Sequence, residues 1–163
     1  MSKTSQLQIR IDINEKARIR QRAQSAGMDV SKWVLRQLLP PGEEHFQTLC
    51  KELAEKPALR AYILAEFHDF FKRLGPQEFS RATQYPPTAQ LAPFEANYVA
   101  AMLEYTAAAK DVPVPGWVKD VVPLEMPWFA SSLQSLRLYL LANSPPAFRR
   151  RNLFIDSSIG SRI

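Results

Sequence analysis

One short stretch of alternating polarity near the start of the chain places the strongest limit on its fold. In Ser5 to Asp12 the apolar residues Leu7, Ile9 and Ile11 alternate with polar ones, which is the period of a half-buried β-strand. The rest of the sequence shows no second stretch of this kind, and a lone strand leaves a row of backbone N–H and C=O groups unpaired. The sequence therefore predicts that the strand pairs with its copy in a homodimer.

Two short helices are predicted directly after this strand. The first spans Ile13 to Ala26 and ends at Gly27, a residue that readily takes the positive φ of a helix C-terminus. The second has Asp29 or Ser31 as its N-cap and ends at the Pro-Pro-Gly run 40–42. So short a unit buries too little apolar surface to fold alone, because domains below about 40 residues usually need a partner, a metal or disulfides.

The positive charge of the chain is confined to this first unit. Of the 163 residues, the first 39 hold eight Lys and Arg against three Asp and Glu, whereas residues 40–163 hold 13 of each sign. A basic segment joined to a neutral body is typical of proteins that bind a polyanion such as DNA. The alternative is a helix whose basic side chains are merely solvated.

The order of strand, helix, glycine and helix over residues 5–39 resembles the ribbon-helix-helix DNA-binding proteins, the superfamily of the Met and Arc repressors. The resemblance implies a two-stranded antiparallel ribbon in the major groove, with Gln6, Gln8 and Arg10 on base edges. Gln suits adenine and Arg suits guanine. It also implies that the start of the second helix binds DNA phosphates, through Asp29, Val30, Ser31 and Lys32.

The remainder of the chain is predicted to be a separate helical domain, so that residues 1–40 form the DNA-binding domain and 43–163 a partner-binding one. Apolar spacing and proline positions predict helices over 43–56, 57–74 and 93–110, and a last one from Ser131 or Ser132 to Asn143. Residues 111–128 hold four prolines among many apolar residues, which favours an ordered strap over a helix or a loose linker. The predicted fold class is therefore mainly α.

The last part of the chain resembles a domain of bacterial antitoxin-like regulators over residues 93–156. The strings P-G-W-V-K-D-V-V-P-L-E-M-P-W-F and P-P-A-F-R-R-R-N-L-F-I-D carry this resemblance. It implies a toxin as partner, of a nucleotidyltransferase-like kind. The residues expected to bind that partner are large aromatics and arginines, namely Trp117, Trp128, Phe129, Arg149, Arg150 and Arg151. The alternatives are that the aromatics belong to the core and that the arginines form a solvated face.

Three functions follow from these patterns. The first is an antitoxin-type transcriptional regulator that binds operator DNA as a dimer and binds a toxin through its helical domain. The second is a plasmid or phage repressor of the ribbon-helix-helix type whose helical domain serves oligomerisation only. The third is a helical scaffold or enzyme subunit with a basic surface, and this one leaves the alternating strand unexplained.

Catalysis, cofactors and membrane insertion are not expected. His45, His68 and Cys50 have no spacing typical of a metal site or of a nucleophile with its base, and no glycine-rich phosphate loop is present. No run reaches the roughly 18 apolar residues of a spanning helix. A single cysteine and a first segment without an apolar signal core predict a cytoplasmic protein.

Overall fold

A computed structural model of the chain describes residues 8–38 and 41–156, and it divides into two compact units, Met1–Pro40 and Pro41–Ile163. We call the first unit the head and the second the body. Within the described residues both units are mainly helical, which agrees with the predicted fold class.

Residues 8–38 of the head form two helices, α1 (Ile13–Ser25) and α2 (Val30–Leu38). Asp12 caps α1 in a reciprocal arrangement, since its Oδ1 accepts from the Glu15 N–H at 2.8 Å and its own N–H donates to Glu15 Oε2 at 3.0 Å. Gly27 has φ +65°, the left-handed conformation predicted for the turn. These local signals fix the boundaries of α1 to within a residue of the prediction.

The strand predicted for Ser5 to Asp12 is not seen in this single chain. Ser5, Gln6 and Leu7 lie outside the described residues, and residues 8–12 have no regular secondary structure. A strand is defined by hydrogen bonds to a neighbouring strand. The sequence pattern predicts that neighbour in a second copy.

The body begins with four helices: α3 (Pro41–Glu55), α4 (Arg60–Arg73), α5 (Pro76–Ala82) and α6 (Pro93–Ala109). They enclose a core of closely packed aromatic and aliphatic side chains. Its largest fully buried members include Phe46, Phe67, Phe71, Phe79, Met102 and Leu103. Helix α6 is buried on nearly all sides, because its alanines at 100, 101 and 107 allow its neighbours to approach closely.

Several boundaries differ from the sequence prediction. A 3₁₀ turn, Pro57–Leu59, precedes α4, and another, Gln134–Leu136, precedes α7 (Arg137–Asn143). The short helices α5 and α8 (Pro146–Arg149) were not predicted, since four to seven residues are too few for apolar periodicity to be read. Both begin with a proline, whose fixed φ suits a first helical turn.

The proline-rich strap, residues 111–128, is an ordered segment, as predicted. It contains a 3₁₀ turn, Gly116–Asp120, whose Val118 is fully buried. Polar side chains hold its backbone: Asn97 Nδ2 donates to the Val122 carbonyl at 2.9 Å, and Asn152 Nδ2 donates to the Leu124 carbonyl at 2.6 Å. The strap therefore lies against α6 and the segment around Asn152.

Two very short parallel strands, which the sequence pattern does not predict, join the end of the strap to the segment after α8. They are β1 (Trp128–Phe129) and β2 (Leu153–Phe154), and the Trp128 N–H donates to the Asn152 carbonyl at 2.8 Å. Asn152 has φ +57°, which turns the chain from α8 into β2. Among the helices of the described residues, none has both the length and the apolar character needed to cross a membrane.

Candidate nucleic-acid interface

The predicted base-contacting residues that the structure describes lie on the surface of the head. Gln8 and Arg10 are exposed, and Gln6 lies outside the described residues. The alternating apolar residues beside them are exposed too, Ile9 to 60% and Ile11 to 43%. In residues 8–11, the polar and the apolar side chains of the predicted strand are therefore all exposed.

The start of α2 carries the residues predicted to bind phosphate, and Asp29, Val30, Ser31 and Lys32 are all exposed. Asp29 caps the helix, because its Oδ1 accepts from the Lys32 N–H at 2.8 Å, and this bond is the main cause that lowers the pKa of Asp29. The Lys32 ammonium lies 3.5 Å from the same carboxylate. The Lys32 N–H lies at the helix start that was predicted to bind a DNA phosphate, and it donates to Asp29 instead. The Lys32 side chain remains exposed.

Helix α1 presents four basic side chains, all exposed: Lys16, Arg18, Arg20 and Arg22. Within the described residues none of them lies in an ion pair of 4.0 Å or less. Arg18 and Arg22 border a groove of about 250 Å³ that is also lined by Glu15, Ile11, Ile19 and Trp33. The groove is therefore mixed in character, with two basic residues and one acidic residue beside three apolar ones.

Trp117, predicted to bind a partner, is half-buried in the body. Its Nε1 donates to the Thr83 carbonyl at 3.0 Å, and its ring lies 6.4 Å from that of Phe46. It also lines a groove of about 320 Å³ together with Pro86 and Asp120. Its indole N–H is satisfied internally, so a partner could reach only the ring face.

Trp128 and Phe129 hold the small β-sheet against its neighbours. The Trp128 ring lies 4.8 Å from that of Phe94 on α6, while Phe129 stacks on Phe154 at 4.9 Å. The Arg137 guanidinium lies over the Phe129 ring, 5.2 Å from its centroid. Both residues are half-buried, so they have packing roles whether or not they also bind a partner.

The three arginines predicted to face a partner have different environments. Arg149 and Arg150 are exposed, and Arg150 lies 3.5 Å from Glu104. Arg151 is only 5% exposed, so the expectation that it lies on the surface is wrong. Its guanidinium donates to Glu104 Oε1 at 2.6 Å and to the Val118 carbonyl at 2.9 Å. A buried guanidinium needs such acceptors, and α6 and the strap supply them.

Sequence reasoning missed two polar groups that organise this region, Glu104 and Ser144. The Ser144 hydroxyl accepts from the Ile155 N–H at 2.8 Å and lies within donating distance of the Leu140 and Ile155 carbonyls. Glu104 is a charged residue within the apolar run of α6, and this position in the sequence indicates that it needs a buried polar partner. No comparable signal marks Ser144, because its partners lie on separate elements.

His45 and Cys50, two of the residues considered for catalysis, have different environments. The His45 ring packs on Phe70, and its Nε2 lies 3.9 Å from Glu66. Cys50 is fully buried, and burial raises the pKa of its thiol to about 12. Among the described residues no group of three or more His, Cys, Asp or Glu could hold a metal ion. The absence of enzyme activity stays a prediction.

Residues 1–40 match the NikA-like family, which is described as mobilization protein NikA. The match covers the whole head and ends where the body begins, so it is consistent with the ribbon-helix-helix prediction and gives no support to the antitoxin resemblance of residues 93–156. The comparison with curated proteins gave no match. The comparison with solved structures gave none.

Proposed function

We propose that the protein binds double-stranded DNA as a homodimer through a ribbon-helix-helix head, and that it acts in plasmid mobilization. The match of residues 1–40 to a mobilization protein family carries this proposal. Both hypotheses share the head, so the reason to favour the plasmid alternative is the name of the matched family, since mobilization is a plasmid-related process.

The exposure pattern of the head supports a dimer. Of its described residues, 8–38, only Ala23 is buried. Large apolar side chains remain exposed on both sides of the turn, including Ile9, Ile11, Val30 and Leu38. A unit that buries so little cannot offset the entropy of ordering its backbone. A second head that covers Ile9 and Ile11 would supply the missing apolar burial.

The electrostatics of the head support DNA as its ligand. Unpaired cations of α1 and the Lys32 ammonium at the start of α2 give the surface a positive potential, and duplex affinity depends chiefly on phosphate neutralisation. Arg10 and Gln8 carry the donor groups that read guanine and adenine edges. In this proposal the cations position the head, and Gln6, Gln8 and Arg10 select the sequence.

Binding of the full chain to labelled duplexes at several salt concentrations tests this function. We expect nanomolar to micromolar affinity that falls steeply with salt, and tighter binding to duplexes from a plasmid transfer region than to random DNA of equal length. An Ile9→Lys variant should lose both the affinity and the preference for transfer-region duplexes, since a monomeric head presents half of the contacts. Binding of equal strength to all duplexes, unchanged in this variant, would contradict the proposal.

The antitoxin function remains an alternative proposal for the body. Its exposed arginines, Arg149 and Arg150, are the side chains through which it would meet an acidic partner. Co-purification of the chain with the product of a neighbouring toxin-like gene would favour it. If no such complex forms while transfer-region DNA is bound specifically, the mobilization function is supported instead.

A further inference from the structure

A groove in the body lies between the segment before α6, α6 itself and the strap. We call it the strap groove, and its volume is about 320 Å³. Pro86 and Pro87 line it from the segment before α6, Val99 from α6, and Trp117 and Asp120 from the strap. Its volume lies at the lower end of the range of ligand-binding clefts, about 300–1,000 Å³. The strap groove therefore has room for a few side chains of a peptide.

Hydrogen bonds to other elements of the body hold both walls of the strap groove. Gln47 of α3 fixes the first wall, since its Nε2 donates to the Pro86 carbonyl at 2.9 Å and its Oε1 accepts from the Thr88 N–H at 2.8 Å. Trp117 is fixed in the second wall by the bond from its Nε1 to the Thr83 carbonyl. Because these walls are already ordered, a ligand does not have to order them when it binds.

The chemical groups that line the strap groove favour one sign of charge in a ligand. The lining side chains are Pro, Ala, Leu and Val apart from Trp117 and Asp120, and the indole N–H of Trp117 already donates within the body. The lining side chains therefore offer no free hydrogen-bond donor and a single carboxylate. A carboxylate or phosphate group of a ligand would be repelled by Asp120, whereas a cation on an apolar carbon chain would be attracted.

Trp117 and Asp120 lie on the same side of the strap. They are three residues apart in the 3₁₀ helix Gly116–Asp120, and side chains at this spacing eclipse each other in such a helix. Lys119, which lies between them in sequence, does not line the groove. Among the described residues no Lys or Arg lies over the Trp117 ring or within 4.0 Å of the Asp120 carboxylate. An indole face beside a carboxylate attracts a cation through both groups.

We propose that the strap groove binds a segment of a partner protein in which a Lys or Arg side chain adjoins an apolar residue. The cation lies between the Trp117 ring and the Asp120 carboxylate, and the apolar side chain packs against Pro86 and Val99. This site gives the body a protein-binding function that does not depend on DNA binding by the head. Its ligand is basic, whereas a partner of the exposed Arg149 would be acidic.

Selection from a pool of capped random heptapeptides by the immobilised full-length chain, without DNA and at physiological salt, tests the inference. We expect the retained peptides to be enriched in Lys or Arg next to an apolar residue. Asp120→Asn should remove this enrichment. Glu125→Gln is the matched control, because it removes the same charge from an exposed strap residue outside the groove and should select as the wild type does. The basic head repels such peptides and does not contribute to the selection.

Titration with one retained arginine peptide measures the contribution of the cation. Its partner probe is the same peptide with citrulline in place of arginine, which keeps the shape and removes the charge. The wild type should bind the arginine peptide about three- to tenfold more tightly, and Asp120→Asn should bind the two more nearly alike. In NMR spectra the indole signal of Trp117 should shift on binding, while those of Trp33 and Trp128 should stay in place.

Three results would overturn the inference. They are a pool without Lys or Arg enrichment, an enrichment that persists in Asp120→Asn, and equal affinity of the wild type for the arginine and citrulline peptides. A shift confined to signals outside the strap groove would also overturn it. Asp120 is exposed, so its substitution by Asn leaves the fold intact and makes these comparisons decisive. DNA binding by the head is measured separately, and its success or failure does not change these outcomes.

Discussion

Arg151 Nη2 lies 2.6 Å from Glu104 Oε1, and this ion pair joins the segment after α8 to α6. The same guanidinium reaches the Val118 and Val121 carbonyls of the strap at 2.9 and 3.1 Å. One side chain thus connects three segments that are far apart in sequence. Arg151 belongs to the framework of the body, while its neighbours Arg149 and Arg150 remain on the surface.

Replacing Arg151 should destabilise the body strongly. Arg151→Met leaves two strap carbonyls without their donor and leaves Glu104 with only the exposed Arg150, at 3.5 Å. The loss of one member of a buried pair costs about 3–5 kcal/mol. Urea unfolding of the full chain measures the change. Arg149→Met, at the exposed end of the same run, should alter the free energy of unfolding by less than about 0.5 kcal/mol. Similar effects of the two substitutions would contradict the assigned role of Arg151.

Removal of the Ser144 hydroxyl should loosen the attachment of α7 to the segment around Ile155. Ser144→Ala leaves the Ile155 N–H without its acceptor at a buried position, which costs about 1–3 kcal/mol. Hydrogen exchange should show faster exchange of the Ile155 amide than in the wild type. Ser132→Ala, at an exposed position, serves as the control. An unchanged Ile155 amide would show that this bond does not hold the segment.

The N-cap of α2 should depend on pH in the acidic range. The hydrogen bond from the Lys32 N–H lowers the pKa of Asp29 below its ordinary value of 3.8. A carboxylate whose pKa is lower in the folded state stabilises the fold above its unfolded pKa, and this contribution is lost as the pH falls through the folded pKa. Asp29→Asn keeps a capping side chain but does not titrate. NMR of the Lys32 amide from pH 5 to pH 2 follows the helix at this end of α2. The loss of helix as the pH falls should be larger in the wild type than in Asp29→Asn.

Arg10 and Lys32 should have separable effects on DNA binding. Arg10→Ala removes a base-edge contact, so preferred sequences should lose about 1–3 kcal/mol relative to random duplex. Lys32→Ala removes a phosphate contact and should weaken all duplexes alike while reducing the salt slope by about one. Selection from a randomised duplex pool, followed by titration at fixed salt, provides both measurements. Equal losses on selected and random DNA in Arg10→Ala would mean that Arg10 does not read bases.

The sequence by itself determined the local features of the head. Asp12 and Asp29 cap their helices and Gly27 takes a positive φ because each effect depends only on a residue and its close neighbours. The prolines and the apolar spacing likewise located α3, α4 and α6 in the body. The strand of residues 5–12 is a sequence prediction of a different kind, since its hydrogen-bonding partner is expected on another chain.

Only the tertiary structure decided which side chains of the body are available to a partner. Arg149, Arg150 and Arg151 are identical residues in one run, yet Arg151 is buried because α8 directs it towards Glu104 and the strap. The indole N–H of Trp117 donates to the Thr83 carbonyl and so is not available to a partner. In α7 Leu140 is buried, whereas Leu138 is exposed. Such contacts join residues tens of positions apart, so their geometry follows from the packing of whole elements and not from any local pattern.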